Sequence, residues 1–512
     1  METRTQKSLL TAKVNAICWF ATIVVSFFSR KILLDNLGVE FMGLAGTLGS
    51  ILTFLNVAEF GIGTVISVVL YKPLFDNKRS SIQEIVSVLG YLYRCIGLFI
   101  LGAGIITSLF LPVIFSNTSF DWLTIYFGFY AFLCSSLIGY FVNYRSVLLS
   151  ADQRNYVVAG YFQVANTVKA CLQMLLAIYW HSFILYFSLE LIFGLICAYL
   201  LNIKINQTYP WLKTEVRLGR TLLNKYPEVA IKAKQVMVHN TVGFAVYSAM
   251  PLLVYIFISL PMVAIYSNYM LVISSIQNLL STILDGTSAS IGNLIAEGNR
   301  DNTLKVYQEL FSFRFFCSVI FAGGVFFLLS DFITLWLGKE FQLSLWVLGL
   351  MTLHMFLLMV RKITDQFIDG YGLFQDVWSP IVEVCLLLSV SIIGGINWGL
   401  IGLLCGPIAS TLLIIYVWKP YFLFRKGFHL PIRKYLWMFS KHFFALAVAI
   451  GVVALIAILT STPIISTHIT WGMWLIKASI FTLSLAVILF IAQYTLTSST
   501  RTFVARWFKR NS

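Results

Sequence analysis

RKILLDNLGVEFMGLAGTLGSILTFLNVAEFGIGTVISVVLYK, residues 30–72, links two apolar segments through a glycine-bearing turn. The pair Arg30-Lys31 closes the first segment. The second apolar run, 42–71, is longer than the roughly 20 residues that span a bilayer, and it contains Glu59. A charged side chain in such a segment costs about 2.5–3.5 kcal/mol on insertion scales and usually faces a cavity or a partner group. Glu59 is therefore a candidate for function.

The composition predicts an all-α polytopic membrane protein. Of the 512 residues, 59% are hydrophobic and 11% are charged, whereas soluble domains carry about 25% charged residues. The apolar runs are long and uninterrupted, which is typical of spanning helices and unlike the alternating segments of a membrane β-barrel. The basic and then apolar N-terminus is expected to be a retained first helix.

The distribution of apolar runs predicts fourteen transmembrane helices. Loops on one face are short, while 29 of the 36 Lys and Arg residues lie on the other face. The positive-inside rule makes the basic face cytoplasmic and places both termini there. Because topology accounts for the net charge of +15, no nucleic-acid partner is expected. The predicted helices are 10–34, 42–71, 85–113, 121–147, 156–180, 183–204, 235–258, 262–289, 303–330, 342–363, 376–396, 399–418, 442–460 and 473–496.

The longest basic loop divides the chain into two predicted lobes of six helices each. Glu59 in helix 2 corresponds to Asp285 in helix 8, and Arg94 in helix 3 corresponds to Arg314 in helix 9. Both halves begin on the same face, so the repeat is predicted to be parallel and the lobes pseudo-symmetric. The predicted segments are the N-terminal lobe 1–205, a basic cytoplasmic linker with a short surface helix 206–234, the C-terminal lobe 235–420, and the last helix pair with its basic cytoplasmic tail 421–512.

The opening of the chain also resembles a known family. The residues that carry the resemblance are Arg30, Leu37-Gly38, Met42-Gly43-Leu44, Glu59-Phe60-Gly61-Ile62-Gly63-Thr64 and Tyr71-Lys72-Pro73-Leu74. They are similar to the start of bacterial polysaccharide-export flippases, the O-antigen and capsule flippases of the multidrug/oligosaccharidyl-lipid/polysaccharide exporter superfamily. Over the rest of the chain the likeness is in helix count and spacing.

The resemblance implies a substrate and a mechanism. The substrate would be a polyprenyl-pyrophosphate-linked oligosaccharide, moved from the inner to the outer leaflet of the bacterial inner membrane for lipopolysaccharide O-antigen or capsule assembly. The mechanism would be alternating access, with two lobes rocking about a central site. The implied partners are the lipid-linked oligosaccharide, membrane lipids, and the polysaccharide polymerase and glycosyltransferases.

Ionisable residues within the predicted helices are the candidates for substrate binding. Cations there are expected to line a wet cavity between the lobes and to bind an anionic headgroup, since the planar donors of Arg match phosphate. Acids there are expected to pair with the cations in the empty state, or to bind a coupling Na⁺ or H⁺. The predicted cations are Arg30, Lys31, Arg94, Lys169 and Arg314, and the predicted acids are Glu59, Glu190, Asp285 and Glu383.

A structural alternative stays open for the same residues. Arg94–Glu59 and Arg314–Asp285 can be buried pairs that lock each lobe. Elsewhere Lys477 is expected to snorkel to the outer surface. Asp365, just inside the membrane, is expected to lie in a solvated turn.

The sequence contains no phosphate-binding loop and no metal-ligand spacing, so neither an enzyme nor a cofactor beyond a coupling ion is expected. Two other functions are weighed: a cation-coupled multidrug exporter of the same superfamily, and a non-transporting membrane scaffold for polysaccharide assembly. The deep cations favour an anionic substrate over a cationic drug.

Overall fold

All regular structure among the described residues of the computed structural model is helical, which confirms the predicted all-α polytopic fold. Eight helical stretches in this part of the chain are long and apolar enough to cross a membrane, besides shorter apolar helices. The described residues are 4–59, 62–116, 118–152, 154–227, 229, 249–284, 291–292, 294–295, 297–373, 376, 378–459 and 470–511.

The chain separates into two compact units, Met1–Tyr266 and Ser267–Ser512. In the first unit, short 3₁₀ turns at Asn56–Glu59, Asn143–Arg145 and Val216–Leu218 connect longer helices. The α-helices up to the end of the predicted linker are α1 (Arg4–Leu37), α2 (Val39–Leu55), α3 (Ile62–Phe75), α4 (Arg79–Ile114), α5 (Trp122–Phe141), α6 (Ser146–Ala151), α7 (Asn155–Trp180), α8 (Phe183–Thr208) and α9 (Gly219–Lys225).

Most of predicted helix 7, 235–258, lies outside the described residues, and its described part is helical at 249–257. The remaining helices follow this segment. They are α10 (Leu260–Leu284), α11 (Arg300–Trp336), α12 (Leu345–Gly370), α13 (Trp378–Ser410), α14 (Lys419–Phe422), α15 (Arg433–Leu459), α16 (Trp471–Leu496) and α17 (Ser498–Asn511). Two π-helical segments, Thr411–Trp418 and Leu423–Gly427, flank α14. The predicted lobe boundaries stay a prediction.

Local chemistry marks where several helices begin. Polar side chains at the N-caps accept a hydrogen bond from the backbone N–H three residues later, which satisfies one of the donors left open at a helix start. Such caps precede α8, α11, α12 and α16, at Ser182, Asn299, Ser344 and Thr470 respectively.

The break in α13 shows how glycine builds two spans from one helical stretch. Gly399 has φ 56° and ψ −132°, and the chain reverses direction there. Ser391 donates a hydrogen bond to the Leu403 carbonyl at 2.8 Å, whereas a straight helix would separate these residues by about 18 Å. At the crossing, a Cβ on Gly402 would lie 1.9 Å from the Gly394 carbonyl oxygen. The predicted turn between helices 11 and 12 is thereby confirmed.

We predict that Gly402→Ala destabilises the protein. The added methyl group overlaps backbone rather than a flexible side chain, and overpacking typically costs about 1–3 kcal/mol. Thermal unfolding of the purified protein in detergent should show a lower midpoint. The matched control is Gly451→Ala in α15, where a Cβ meets nothing within 4 Å. Equal midpoints for the two variants would contradict the close helix crossing.

Candidate functional site

Glu59 ends the 3₁₀ turn between α2 and α3, and its carboxylate is held by tyrosines. It accepts hydrogen bonds from the hydroxyls of Tyr93 on α4 and Tyr140 on α5, both at 2.8 Å. The turn also holds Asn56, whose side-chain oxygen accepts from Ser136 at 2.7 Å. Neutral donors thus satisfy this carboxylate within the helix bundle.

The expected Arg94–Glu59 pair is therefore wrong. Tyr93, the residue before Arg94, faces the carboxylate, while Arg94 lies on the exposed face of α4. Consecutive residues of an α-helix point about 100° apart around its axis. Because Tyr93 faces the Glu59 carboxylate, the Arg94 side chain points away from it. Arg94 as a substrate-binding residue stays a prediction.

Lys169 and Glu190 form a tight ion pair between α7 and α8. The Lys169 ammonium lies 2.7 Å from a Glu190 carboxylate oxygen, and the two side chains are only 17% and 14% exposed. The Gln173 amide donates to the other oxygen at 3.0 Å. The hairpin between α7 and α8 turns at His181, which places residues at similar distances from the turn at one level of the bundle.

A cavity of about 120 Å³ with a partly polar lining adjoins this pair, which is enough room for water. Besides Lys169 and Glu190, its lining includes Ser135, Asn143 and Asn166. Asn143 is only 7% exposed, and its amide oxygen has no hydrogen-bond partner among the residues that the structure describes. The pair therefore lies beside a space that a polar group can occupy.

Arg30 extends the polar cluster toward α1. Its guanidinium donates to the Ala264 carbonyl at 3.2 Å and interacts electrostatically with Tyr186, which in turn interacts with Glu190. Lys31 does not join the cluster, because it is exposed and lies 3.7 Å from Asp35. We call Arg30, Lys169, Gln173, Tyr186 and Glu190 the first-unit polar cluster.

The second unit buries its cations differently. Arg314 is 3% exposed, and its Nε donates to the Met359 carbonyl on α12 at 2.8 Å. Asp285, its predicted partner, lies outside the described residues, so the Arg314–Asp285 pair stays a prediction. Arg314 is therefore a buried donor to the neighbouring helix.

Glu383 belongs to a charge network at one end of α12. Arg361 lies 3.6 Å from Glu383 and 3.1 Å from Asp365, while Lys419 lies 3.2 Å from Asp365. The expected solvated turn at Asp365 is wrong, because α12 continues through it and the carboxylate is held between two cations. This second-unit charge network contains two cations and two carboxylates.

Lys477 is also paired, with Asp331 at 2.6 Å, where snorkelling was expected. Across both units, the deep ionisable groups mostly meet carboxylates, hydroxyls or backbone carbonyls, as charged groups inside a bilayer require. Among the described residues, no group of three or more His, Cys, Asp or Glu side chains could hold a metal ion.

Sequence reasoning missed the neutral members of these sites. Tyr93, Tyr140, Tyr186 and Gln173 look like ordinary membrane-helix residues in sequence, since aromatic residues are abundant throughout. The Lys169–Glu190 pairing could have been found, because the two residues lie 12 and 9 residues from the predicted turn near His181, which places them at a similar level of the hairpin.

No family model matches the chain. In sequence, the chain is 27% identical over 441 residues to a curated Yersinia pseudotuberculosis protein named "Putative O-antigen export protein". The match spans 80% of this chain and 94% of the relative. The chain resembles the polysaccharide-export family. The resemblance found at the start of the sequence thus extends over most of its length.

Solved structures show which fold this chain has. The "Lipid II flippase MurJ, inward closed conformation" matches with a TM-score of 0.60 and 13% identity, covering 94% of this chain and 98% of that chain. The "Inward-facing conformation of a multidrug resistance MATE family transporter of the MOP superfamily" also matches with a TM-score of 0.60 and 13% identity, covering 81% and 98%. The chain therefore has the fold of MOP-superfamily transporters.

We predict that Glu190→Ala destabilises the protein, because it leaves the Lys169 ammonium buried without its carboxylate. Breaking one side of a buried pair costs about 3–5 kcal/mol. The thermal unfolding midpoint of the purified protein, and its amount in membranes, should both fall. Glu215→Ala removes an exposed carboxylate and should change neither quantity. A Glu190→Ala variant as stable as the wild type would contradict the observed pairing.

Proposed function

We propose that this protein flips a polyprenyl-pyrophosphate-linked oligosaccharide from the inner to the outer leaflet of the bacterial inner membrane, for O-antigen or capsule assembly. The name of the Yersinia relative supports this proposal, since the alignment spans 94% of that protein. The MOP-superfamily fold supports a transport role. Passage of the headgroup between the two lobes stays a prediction.

The observation that carries the choice of substrate is the charge of the first-unit polar cluster. Its five residues contain two cations, Arg30 and Lys169, but only one carboxylate, Glu190. The formal charge of these five residues is +1, which favours an anionic ligand. In the described structure, Arg30 donates to a carbonyl oxygen and Lys169 to the Glu190 carboxylate. A pyrophosphate would offer both cations stronger charge-assisted hydrogen bonds than these acceptors do.

The rest of the substrate has different requirements. The glycan is bulky and polar and needs a hydrated path, while the polyprenyl tail can remain in hydrocarbon. The small cavity beside Lys169 and Glu190 supports the presence of water near the Lys169 ammonium. Among the predicted substrate-binding residues, Arg30, Lys169 and Arg314 are buried or half-buried, and Lys31 and Arg94 are exposed. Coupling to Na⁺ or H⁺, and contacts with the polymerase or glycosyltransferases, stay predictions.

We predict that the double variant Lys169→Gln/Glu190→Gln keeps the fold but loses export. Replacing both charges by amides leaves no unpaired ion, so the membrane level should be preserved. The cationic donor for pyrophosphate is lost, and surface polysaccharide in a complemented deletion strain should fall about tenfold or more, since each such interaction is worth one or more powers of ten.

The matched control is Lys477→Gln/Asp331→Asn. It neutralises an ion pair of the second unit whose nitrogen–oxygen distance, 2.6 Å, is close to that of Lys169 and Glu190. This control should retain surface polysaccharide. If both double variants export normally at equal protein levels, the first-unit polar cluster does not recognise the substrate.

The same strains separate the alternative functions. A multidrug exporter predicts that deletion raises drug sensitivity and leaves surface polysaccharide unchanged. A non-transporting scaffold predicts that neutralising buried charges is harmless, while shortening the linker 206–234 abolishes polysaccharide. Either result would overturn the flippase proposal.

A further inference from the structure

The linker after α8 is fixed to the start of α4 by polar contacts. Gln83 donates its side-chain amide to the Trp211 carbonyl at 2.5 Å. Lys225 pairs with Glu84 at 2.7 Å, and this carboxylate raises the pKa of the Lys225 ammonium. The linker is therefore a surface of defined shape on the first turns of α4.

The linker crosses α4 at Tyr91. A Cβ added to Gly219 would lie 2.3 Å from the Tyr91 Cβ and 2.8 Å from the Ser87 carbonyl oxygen, so only glycine allows this approach. The next residue, Arg220, is exposed and acts electrostatically on the Tyr91 phenol. Arg94 lies one turn further along α4 and is exposed as well. Two exposed arginines thus neighbour Tyr91: Arg94 three residues along α4, and Arg220 on the linker that crosses α4 there.

Arg94 and Arg220 carry positive charges that no carboxylate of the described residues neutralises. Among the described residues, neither Arg94 nor Arg220 has a carboxylate oxygen within 4.0 Å, in contrast to Lys225 with Glu84. Lys213 adds a further exposed positive charge on the linker, as does Arg217. An exposed guanidinium of this kind is suited to bind phosphate through two parallel donors.

An apolar surface continues from this charged end. Beyond Arg94, α4 presents Leu98 and Phe99, which are 60% and 64% exposed, and the exposed apolar face extends to Leu109. On the linker, Leu218 is 50% exposed between basic residues, as in segments that insert an apolar side chain at a membrane surface. Positive charge followed by an exposed apolar face matches a phosphate headgroup followed by its acyl chains.

We propose that Tyr91, Arg94 and Arg220 form a binding site for the headgroup of an anionic phospholipid in the inner leaflet, with its acyl chains along α4. A free phosphate ion would not need the apolar face. A zwitterionic headgroup would place an ammonium group beside two guanidinium groups, which is unfavourable. Arg94 then holds a membrane lipid rather than the transported substrate. The site is independent of the function proposed above.

The test measures lipid binding to the purified full-length protein by native mass spectrometry, using phosphatidylglycerol and phosphatidylethanolamine with identical acyl chains. The wild type should prefer phosphatidylglycerol. Arg94→Gln/Arg220→Gln should bind phosphatidylglycerol about tenfold more weakly, with phosphatidylethanolamine unchanged. The matched control is Arg433→Gln/Lys434→Gln, which removes two exposed cations from the start of α15 and should retain the preference.

Several outcomes would overturn the proposal. Equal binding of phosphatidylglycerol and phosphatidylethanolamine by the wild-type protein would by itself overturn it. An equal loss in the control would indicate general surface charge. Displacement of the lipid by millimolar inorganic phosphate would indicate a phosphate site, and preferential binding of polyprenyl phosphate would indicate a site for the substrate. If the Gln variant does not fold, Arg94→Lys/Arg220→Lys should keep the preference, and its loss there would also overturn the proposal. Loss or retention of polysaccharide export does not affect this outcome.

Discussion

The ion pair between Lys169 and Glu190 is the interaction on which the first-unit polar cluster depends. Within a bilayer, an ammonium group has no water to solvate it, and it is stable only when a carboxylate or other acceptor lies close. Glu190 supplies this acceptor at 2.7 Å, and Gln173 donates to the second oxygen of the same carboxylate. Arg30 interacts electrostatically with Tyr186, which interacts with Glu190, so the cluster also includes a second cation.

The two units satisfy buried charge in different ways. In the first unit, neutral hydroxyls hold Glu59, and Glu190 pairs with Lys169. In the second unit, Arg361 and Lys419 pair with Glu383 and Asp365, while Arg314 donates to a backbone carbonyl. Balanced networks hold helices together without attracting ions, whereas a surplus of one sign attracts a ligand of the opposite sign. The proposed function places substrate recognition at the first-unit polar cluster, where Arg30 and Lys169 lie near one carboxylate.

The helices could be predicted from the sequence because hydropathy and the positive-inside rule act locally along the chain. The turn at Gly399 was found in the same way, from a short polar interruption between two apolar runs. Contacts between helices depend on rotation about each axis, which hydropathy does not fix. For this reason Arg94 was assigned to Glu59, although Tyr93 faces that carboxylate. Asp365 was placed in a turn because the charged residues around it interrupt the apolar pattern, although α12 continues to Gly370.

The central claim is that positive charge in the first unit recognises the pyrophosphate of a lipid-linked oligosaccharide. Its most direct test is transport by the purified protein in liposomes, comparing a polyprenyl-pyrophosphate-linked oligosaccharide with the same glycan on an uncharged lipid. Rapid flipping of the first and slow flipping of the second is the predicted result. Equal rates for both lipids would contradict the claim, and so would a rate for the pyrophosphate-linked form no greater than that of protein-free liposomes.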